Sequence, residues 1–241
     1  MTAANAEAPR LRLRFEGGTI LVEGLSETQA AALPGVKLDP RTGLFRAEAI
    51  WYRTIVEHLR GSQIPFLDEA RKYEKTRWPL RVARDPFPHQ SEALEAWWKA
   101  GARGVVVLPT GTGKTHMAHM AINRAERPAL VVTPTIDLLN QWYDELCLSF
   151  VTDVGIIGGG YYDVKPLTVT TYDSAYMNMD RLGDRFGLII FDECHHLPGP
   201  TYGLAATCSL APFRLGLTAT PERADNAHVD LDKLIGPIVY R

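Results

Sequence analysis

The stretch "VVVLPTGTGKTHMA", residues 105–118, decides how this chain folds. Val105–Leu108 is a short apolar run that reads as a buried strand. Pro109-Thr110-Gly111-Thr112-Gly113 then makes a turn, and Lys114-Thr115 opens a helix. The order has a physical meaning. Glycines let the backbone curl so that successive N–H groups face an anion, and a helix N-terminus adds its partial positive charge. Lys114 is placed to reach the β- and γ-phosphates of a nucleotide, and the Thr115 hydroxyl to hold Mg²⁺. The general pattern G-x-x-x-x-G-K-[ST] asks for glycine at 108, where this chain has Leu108. A glycine turn that binds nothing would leave the Lys-Thr pair and the strand–turn–helix order unexplained.

Outward from this stretch the texture repeats. "ALVVTP" (129–134), "LTVTTY" (167–172), "FGLIIF" (186–191) and "RLGLTA" (214–219) are further apolar runs. Helical patterns fall between them, among them His89–Ala100 and "IDLLNQWYDELCLSF" (136–150). Continuous apolar strands alternating with helices predict a parallel α/β sheet covered on both faces. Upstream the pattern differs. "LRLRFEGGTILVE" (11–23) partly alternates around Gly17-Gly18 and predicts a hairpin. "DPRTGLFRAEAI" (39–50) adds a turn and strand, and "IWYRTIVEHLR" (50–60) a helix stopped by Gly61. The expected organisation is a small α+β domain over 1–75, a proline-bearing linker over 76–88, and the α/β domain over 89–241.

"LIIFDECHHLPG" (188–199) packs acids, a thiol and imidazoles together. Asp192 and Glu193 lie where a buried strand ends, the edge at which open α/β sheets bind ligands. A phosphate-loop enzyme needs one carboxylate there for the Mg²⁺ shell and a second to polarise water. Asp192 fits the first role and Glu193 the second. A zinc site is the competing reading. Cys194, His195 and His196 are contiguous rather than spaced as paired ligands, and Cys147 and Cys208 have no thiol near them in sequence. Cys194 is expected to be a buried packing residue, His195 a link to neighbouring motifs, and His196 a satisfied histidine.

The composition is that of an ordinary globular chain, 46% hydrophobic and 22% charged. No apolar run reaches the roughly 18 residues of a membrane span, and no secretory leader is visible at the N-terminus. Three cysteines are too few for a disulfide framework, so a reducing, intracellular setting is expected. Net charge is −2, but it divides: residues 1–85 hold 14 Lys/Arg against 11 Asp/Glu, residues 86–241 hold 12 against 17. The basic excess is densest in "RKYEKTRWPLRVAR" (71–84), either a solvated linker helix or a DNA contact. "AWW" (96–98) reads as core packing, and "IGGGYYD" (157–163) as a glycine turn or a mobile loop, with Tyr161 and Tyr162 the residues to test.

"PTGTGKT", "DECHH" and "LTATP", in that order, resemble motifs I, II and III of superfamily-2 helicases of the DExH type. The helicase form of the loop tolerates Leu108, whereas most kinases and GTPases keep the glycine. "FPHQSEALEAW" (87–97) is similar to the Q-like motif, "VVTPTIDLLNQW" (131–142) to motif Ia, and "TVTTYDSAY" (168–176) to motif Ib. "TYDSAY", "LIIFDECHHLP" and "APFRLGLTATPER" together resemble the XPB branch, and the N-terminal unit resembles its damage-recognition domain.

The resemblance implies a RecA-like motor domain in an ATP- and Mg²⁺-using, DNA-dependent motor for duplex opening or repair. It would bind nucleotide through Gln90, placed to read the adenine edge, and through Thr110, Gly111, Thr112, Gly113, Lys114 and Thr115. Asp192 and Glu193 would be catalytic with Lys114, and Thr115 and Asp192 would hold the magnesium. His195, Thr218 and Thr220 would couple hydrolysis to DNA, and Pro134, Thr135, Thr171, Tyr172 and Arg223 would lie along the nucleic-acid track. The family's Arg-Glu-Asp triplet reads Arg223-Ala224-Asp225 here. Motifs IV to VI and the arginine finger belong to a second RecA-like domain, expected in cis beyond Arg241 or in trans. A nuclease or repair protein is a further expected partner, no membrane is involved, and the expected location is cytoplasmic at the nucleoid, or nuclear in a eukaryote. Two other readings stay open: an ATP-binding module for DNA or a partner with little turnover of its own, and a superfamily-2 motor of a restriction or chromatin system. A small-molecule kinase would leave the later motifs unexplained.

Overall fold

The structure, a computed structural model, describes residues 11–220 and 229–241. The first unit is built on the expected hairpin. Strands β1 (Leu11–Glu16) and β2 (Thr19–Glu23) pair antiparallel around Gly17 and Gly18, whose φ values of +56° and +77° suit glycine. Helix α1 (Glu27–Ala32) starts with a Ser26/Gln29 capping box. Strands β3 (Lys37–Asp39) and β4 (Leu44–Glu48) extend one edge, and β5 (Phe66–Glu69) joins β1 in parallel on the other, giving the order β3-β4-β2-β1-β5. Helix α2 (Tyr52–Gly61) sets Ile55 and Leu59, one turn apart, on Leu13, Ile20 and Val22.

The second unit begins with α3 (Pro88–Lys99) and continues β6 (Arg103–Val107), α4 (Lys114–Ala125), β7 (Ala129–Thr133) and α5 (Ile136–Ser149). Then follow β8 (Val154–Gly158), β9 (Tyr161–Asp163), β10 (Leu167–Thr171), α6 (Tyr172–Leu182) and β11 (Leu188–Asp192). Helix α7 (Gly203–Thr207), β12 (Phe213–Thr218), α8 (Val229–Leu234) and β13 (Ile238–Tyr240) complete it. The sheet order is β13-β6-β12-β11-β7-β10-β8-β9, parallel except for the β8–β9 hairpin. Side-chain alternation divides the core between the two faces. Val131, Ile190 and Leu215 meet α3, α4 and α5 on one side; Val132, Ile189 and Phe191 meet α6, α7 and α8 on the other. Strand β12 sits between β6 and β11, so the segments that follow these three strands come side by side at one sheet edge.

The basic stretch 71–84 is neither a helix nor a free tether. It runs extended over the α/β unit and hydrogen-bonds to it: Lys72 N–H to the Asp184 carbonyl (2.8 Å), Thr76 N–H to Glu126 (2.8 Å) and Arg81 N–H to Ser149 (2.8 Å). Trp78 is buried, with its indole N–H on the Arg127 carbonyl at 3.1 Å. Lys72 pairs with Asp184 (2.8 Å) and Lys75 with Glu126 (2.6 Å), so part of the positive charge is neutralised within the chain. No helix among the described residues is long and apolar enough to cross a membrane.

Candidate active site

Strand β6 delivers its chain into the loop at Leu108, whose N–H donates to the Thr218 carbonyl at 3.0 Å. Leu108 is buried and does not have a positive φ, so its backbone needs no glycine there. The positions that do are Gly111 and Gly113, at φ +80° and +83°. The Thr112 hydroxyl closes the loop on the Pro109 carbonyl at 2.7 Å. Helix α4 starts at Lys114, whose Nζ reaches back to the Leu108 carbonyl (3.5 Å) and lies 3.3 Å from Glu193 Oε1.

Gln90 is not oriented to face a base edge, as the sequence suggested. It is buried, its amide N–H group donates to the Thr112 and Gly113 carbonyls (3.1 and 3.2 Å), and its Oε1 accepts from Phe87 N–H (3.0 Å). His89 adds a contact from Nε2 to the Thr112 carbonyl oxygen at 3.0 Å. The Thr112 carbonyl lies outside helix α4 and takes its hydrogen bonds from Gln90 and His89, while the Gly113 carbonyl also accepts the helix's own Met117 N–H at 3.1 Å. Gln90 in this geometry sets the loop's shape.

Asp192 ends β11 and is buried. Its Oδ2 accepts from the Trp142 indole N–H at 2.8 Å and its Oδ1 from the Glu193 N–H at 3.1 Å. Burial holds this carboxyl above the usual carboxylate range, with the Trp142 hydrogen bond working the other way. Trp142 was not singled out in the sequence; one tryptophan on an apolar helix face reads as core. Glu193 follows in a left-handed backbone conformation, φ +45°, ψ +54°, which costs a non-glycine residue roughly 1–2 kcal/mol. That bend turns its carboxylate away from the sheet toward Lys114 and lets Cys194, His195 and His196 diverge. Cys194 is fully buried beside Gly216, and burial pushes its thiol far up, as a packing residue requires. His195 Nδ1 meets the Thr218 hydroxyl at 3.0 Å and Glu193 Oε2 at 3.4 Å, while His196 is exposed against the Tyr172 ring. No group of three or more His, Cys, Asp or Glu side chains among the described residues could hold a metal on its own.

Thr218, at the end of β12, closes the circuit. Its Oγ1 accepts from the Thr220 N–H (3.2 Å), lies 3.1 Å from the Thr220 carbonyl, and is 3.5 Å from Glu193 Oε2. Lys114, Glu193, His195 and Thr218 thus come from three segments into one contact chain.

Residues 84–223 match the family model described as type III restriction enzyme, res subunit, and residues 13–70 match the Xeroderma pigmentosum group B helicase damage recognition domain. The chain belongs to the superfamily-2 helicases, in their XPB-type branch. It is 40% identical over 95% of its length to a DNA 3'-5' translocase XPB2 of Sulfurisphaera tokodaii, covering 50% of that protein. It is 37% identical over 68% of its length to a DNA 3'-5' helicase XPB of Kineococcus radiotolerans, covering 30% of that one. The chain spans about half or less of the length of these relatives. In fold it is similar to the UvsW helicase from bacteriophage T4, with TM-score 0.56, 16% identity, and 96% of this chain and 100% of that one covered. A Pyrococcus furiosus Hef helicase domain gives TM-score 0.55 at 21% identity over 65% of this chain and 38% of that one.

The residues that the helicase motifs place on a nucleic-acid track divide. Pro134 and Thr135 stand at the same sheet edge as the loop, with Thr135 exposed and its hydroxyl capping α5 by accepting from Leu138 N–H (3.2 Å). Thr220 is exposed beside them in the β12 segment. Thr171 is buried and caps α6, accepting from Ser174 N–H at 3.2 Å. Tyr172 does not face solvent at all: it is 1% exposed, its ring stacks on Phe191, and its hydroxyl donates to the Asp192 carbonyl at 3.0 Å. The expected DNA contacts at Thr171 and Tyr172 are therefore corrected to structural ones, because Thr171 caps α6 from a buried position and Tyr172, its first residue, turns into the core. Arg223, with Ala224 and Asp225, lies outside the described residues.

Proposed function

We propose that the chain is the ATP-binding half of an XPB-type DNA motor, a DNA-dependent ATPase serving duplex opening or repair. Residues 1–75 would be an accessory domain, 76–88 the connection, and 89–241 the first RecA-like domain. The supporting observation is the contact chain Lys114–Glu193–His195–Thr218, which brings loop, acid box and third motif within 3.0–3.5 Å of one another.

The donor set suits magnesium nucleotide. Two left-handed glycines give the loop an anion-facing curl, and no side chain stands where a Gly111 Cβ would point. Lys114 would hold the phosphates, and Thr115 and Asp192 the magnesium, which would neutralise charge on the phosphates. Each Asp192 oxygen already accepts one hydrogen bond and keeps a further lone pair, so the carboxylate is both positioned and available. Glu193 would orient and deprotonate the attacking water. Thr218 and His195 would report the state of Glu193 to the exposed Thr220 and so to DNA passing Thr135. A second RecA-like domain, in cis or in trans, would supply the arginine finger.

The Lys114–Glu193 ion pair belongs to the nucleotide-free site, and bound phosphates would separate the two. An arginine finger from a second RecA-like domain would raise turnover by a factor on the order of 10³–10⁵. The deciding experiment is ATP hydrolysis by the 241-residue chain with and without DNA, and with an added second motor domain. Turnover that rises with both additions supports the reading; turnover indifferent to DNA in their joint presence overturns it.

A further inference from the structure

A cavity of about 200 Å³ lies in the seam between the two units, lined by Tyr52, Arg53 and Arg60 of α2, by Arg71 and Tyr73 of the extended stretch, and by Arg127. Arg127 precedes β7, and Pro212 and Phe213, also at the cavity, enter β12. The seam is therefore at the sheet edge opposite the phosphate loop, about 16 Å away along a six-residue strand.

Four guanidinium groups share this space with one lining carboxylate, Glu57. Their internal partners account for only part of the charge. Arg53 is spent within the protein: its Nε pairs with Glu57 at 2.8 Å and its Nη1 donates to the Gly101 and Pro212 carbonyls (2.6 and 3.2 Å). Arg71 sits 3.6 Å from Asp68, whose Oδ2 already accepts the Tyr52 hydroxyl at 2.6 Å. Arg127 lies over the Phe213 ring at 4.3 Å. Neither Arg60 nor Arg127 has a carboxylate within ion-pair distance among the described residues. Arginine cannot shed its proton to relieve like-charge crowding, so the arrangement would favour an anion. Tyr73 is buried at the floor and offers a phenol hydroxyl. A guanidinium fork beside an aromatic wall matches the geometry of a phosphate on a sugar backbone.

We propose that this seam binds a phosphodiester group of DNA, at a second contact outside the motor's own track, so that one strand ties the accessory domain to the motor. The inference rests on the reading that the chain works on DNA. The pocket opens between the two units and holds residues from both, so occupancy fixes their relative position.

The test is binding of a fluorescent oligonucleotide to the wild-type chain and to Arg60→Gln and Arg127→Gln over a salt series. Arg60 is exposed, so its replacement leaves the fold intact, and thermal melting checks this for both variants. Each variant is expected to weaken binding about three- to tenfold at low salt and to lower the slope of log K against log salt by about one, with nucleotide affinity unchanged. Inorganic tripolyphosphate, titrated against Lys114→Ala so that the loop does not take it, should compete with the oligonucleotide. Unchanged affinity and slope in both variants would overturn the pocket while leaving the proposed function standing. Tripolyphosphate binding that needs Arg60 and Arg127, with DNA binding untouched, would assign the pocket to a free polyphosphate and overturn the DNA assignment. A wild-type chain that binds no DNA at any salt would remove the proposed function and this site with it.

Discussion

Lys114 Nζ lies 3.3 Å from Glu193 Oε1, across an interval of 79 residues in sequence. In the proposed reaction the two side chains would hold opposite ends of one catalytic task, and here each occupies the other. A nucleotide's phosphates would take Lys114 away and release the Glu193 carboxylate, so binding itself would switch on the base.

Lys114→Ala should abolish nucleotide binding, and Glu193→Gln should keep it while lowering hydrolysis by at least about 10²-fold, the contribution of a positioned base. Fluorescent-nucleotide titration and phosphate release check the pair. Normal turnover in the Glu193→Gln chain would remove Glu193 from the chemistry.

Thr218→Val keeps a β-branched side chain inside the strand and deletes the hydroxyl that meets His195 at 3.0 Å and the Thr220 N–H at 3.2 Å. Nucleotide affinity should stay within about threefold while DNA stimulation of turnover falls by about 5- to 100-fold, the size of an ordinary coupling energy. Equal stimulation in variant and wild type would show that the relay runs elsewhere.

Tyr172→Phe removes one buried hydrogen bond to the Asp192 carbonyl. It should cost about 1–2 kcal/mol of stability and leave DNA affinity at wild-type level. A DNA defect without a melting shift would restore Tyr172 to the surface track that the motif alone suggests.

His119 is buried between the edges of Trp142 and Phe150, and burial pushes its pKa down to about 4. The sign follows from linkage. The unfolded imidazole takes a proton near pH 6.5 and the folded one does not, so stability is full above that value and falls as pH drops toward 4. The loss approaches about 3 kcal/mol from this group. His119→Leu should flatten the acid side of a melting-temperature profile between pH 7 and pH 4.5; an unchanged profile would mean the histidine already titrates in the fold.

Much of the architecture was legible because it depends on local pattern. Five-residue apolar runs between helical periods leave few alternatives to a covered parallel sheet, and a Gly-Lys-Thr helix start fixes where that sheet meets an anion. Resemblance added the order of the boxes. The failures share one cause. Gln90 and Tyr172 belong to motifs that imply ligand contact, but side-chain direction is set by what surrounds the backbone. At Gln90 that is the Thr112 and Gly113 carbonyls of the loop, and at Tyr172 a core with room for one phenol. In the basic stretch 71–84 the linker-helix alternative failed the same way, since nothing in its composition says which acids of the α/β unit lie beneath it.

The sequence by itself determined the nucleotide loop, the acid pair and the division into two units, because each rests on residues close together in the chain. Only the tertiary structure decided that Lys114, Glu193, His195 and Thr218 touch. That follows from strand order: β12 is inserted between β6 and β11, and no local preference encodes which strand lies beside which. The same holds for Trp142 on Asp192 and for the arginines of the seam, which converge because two separately patterned units bury their surfaces against each other.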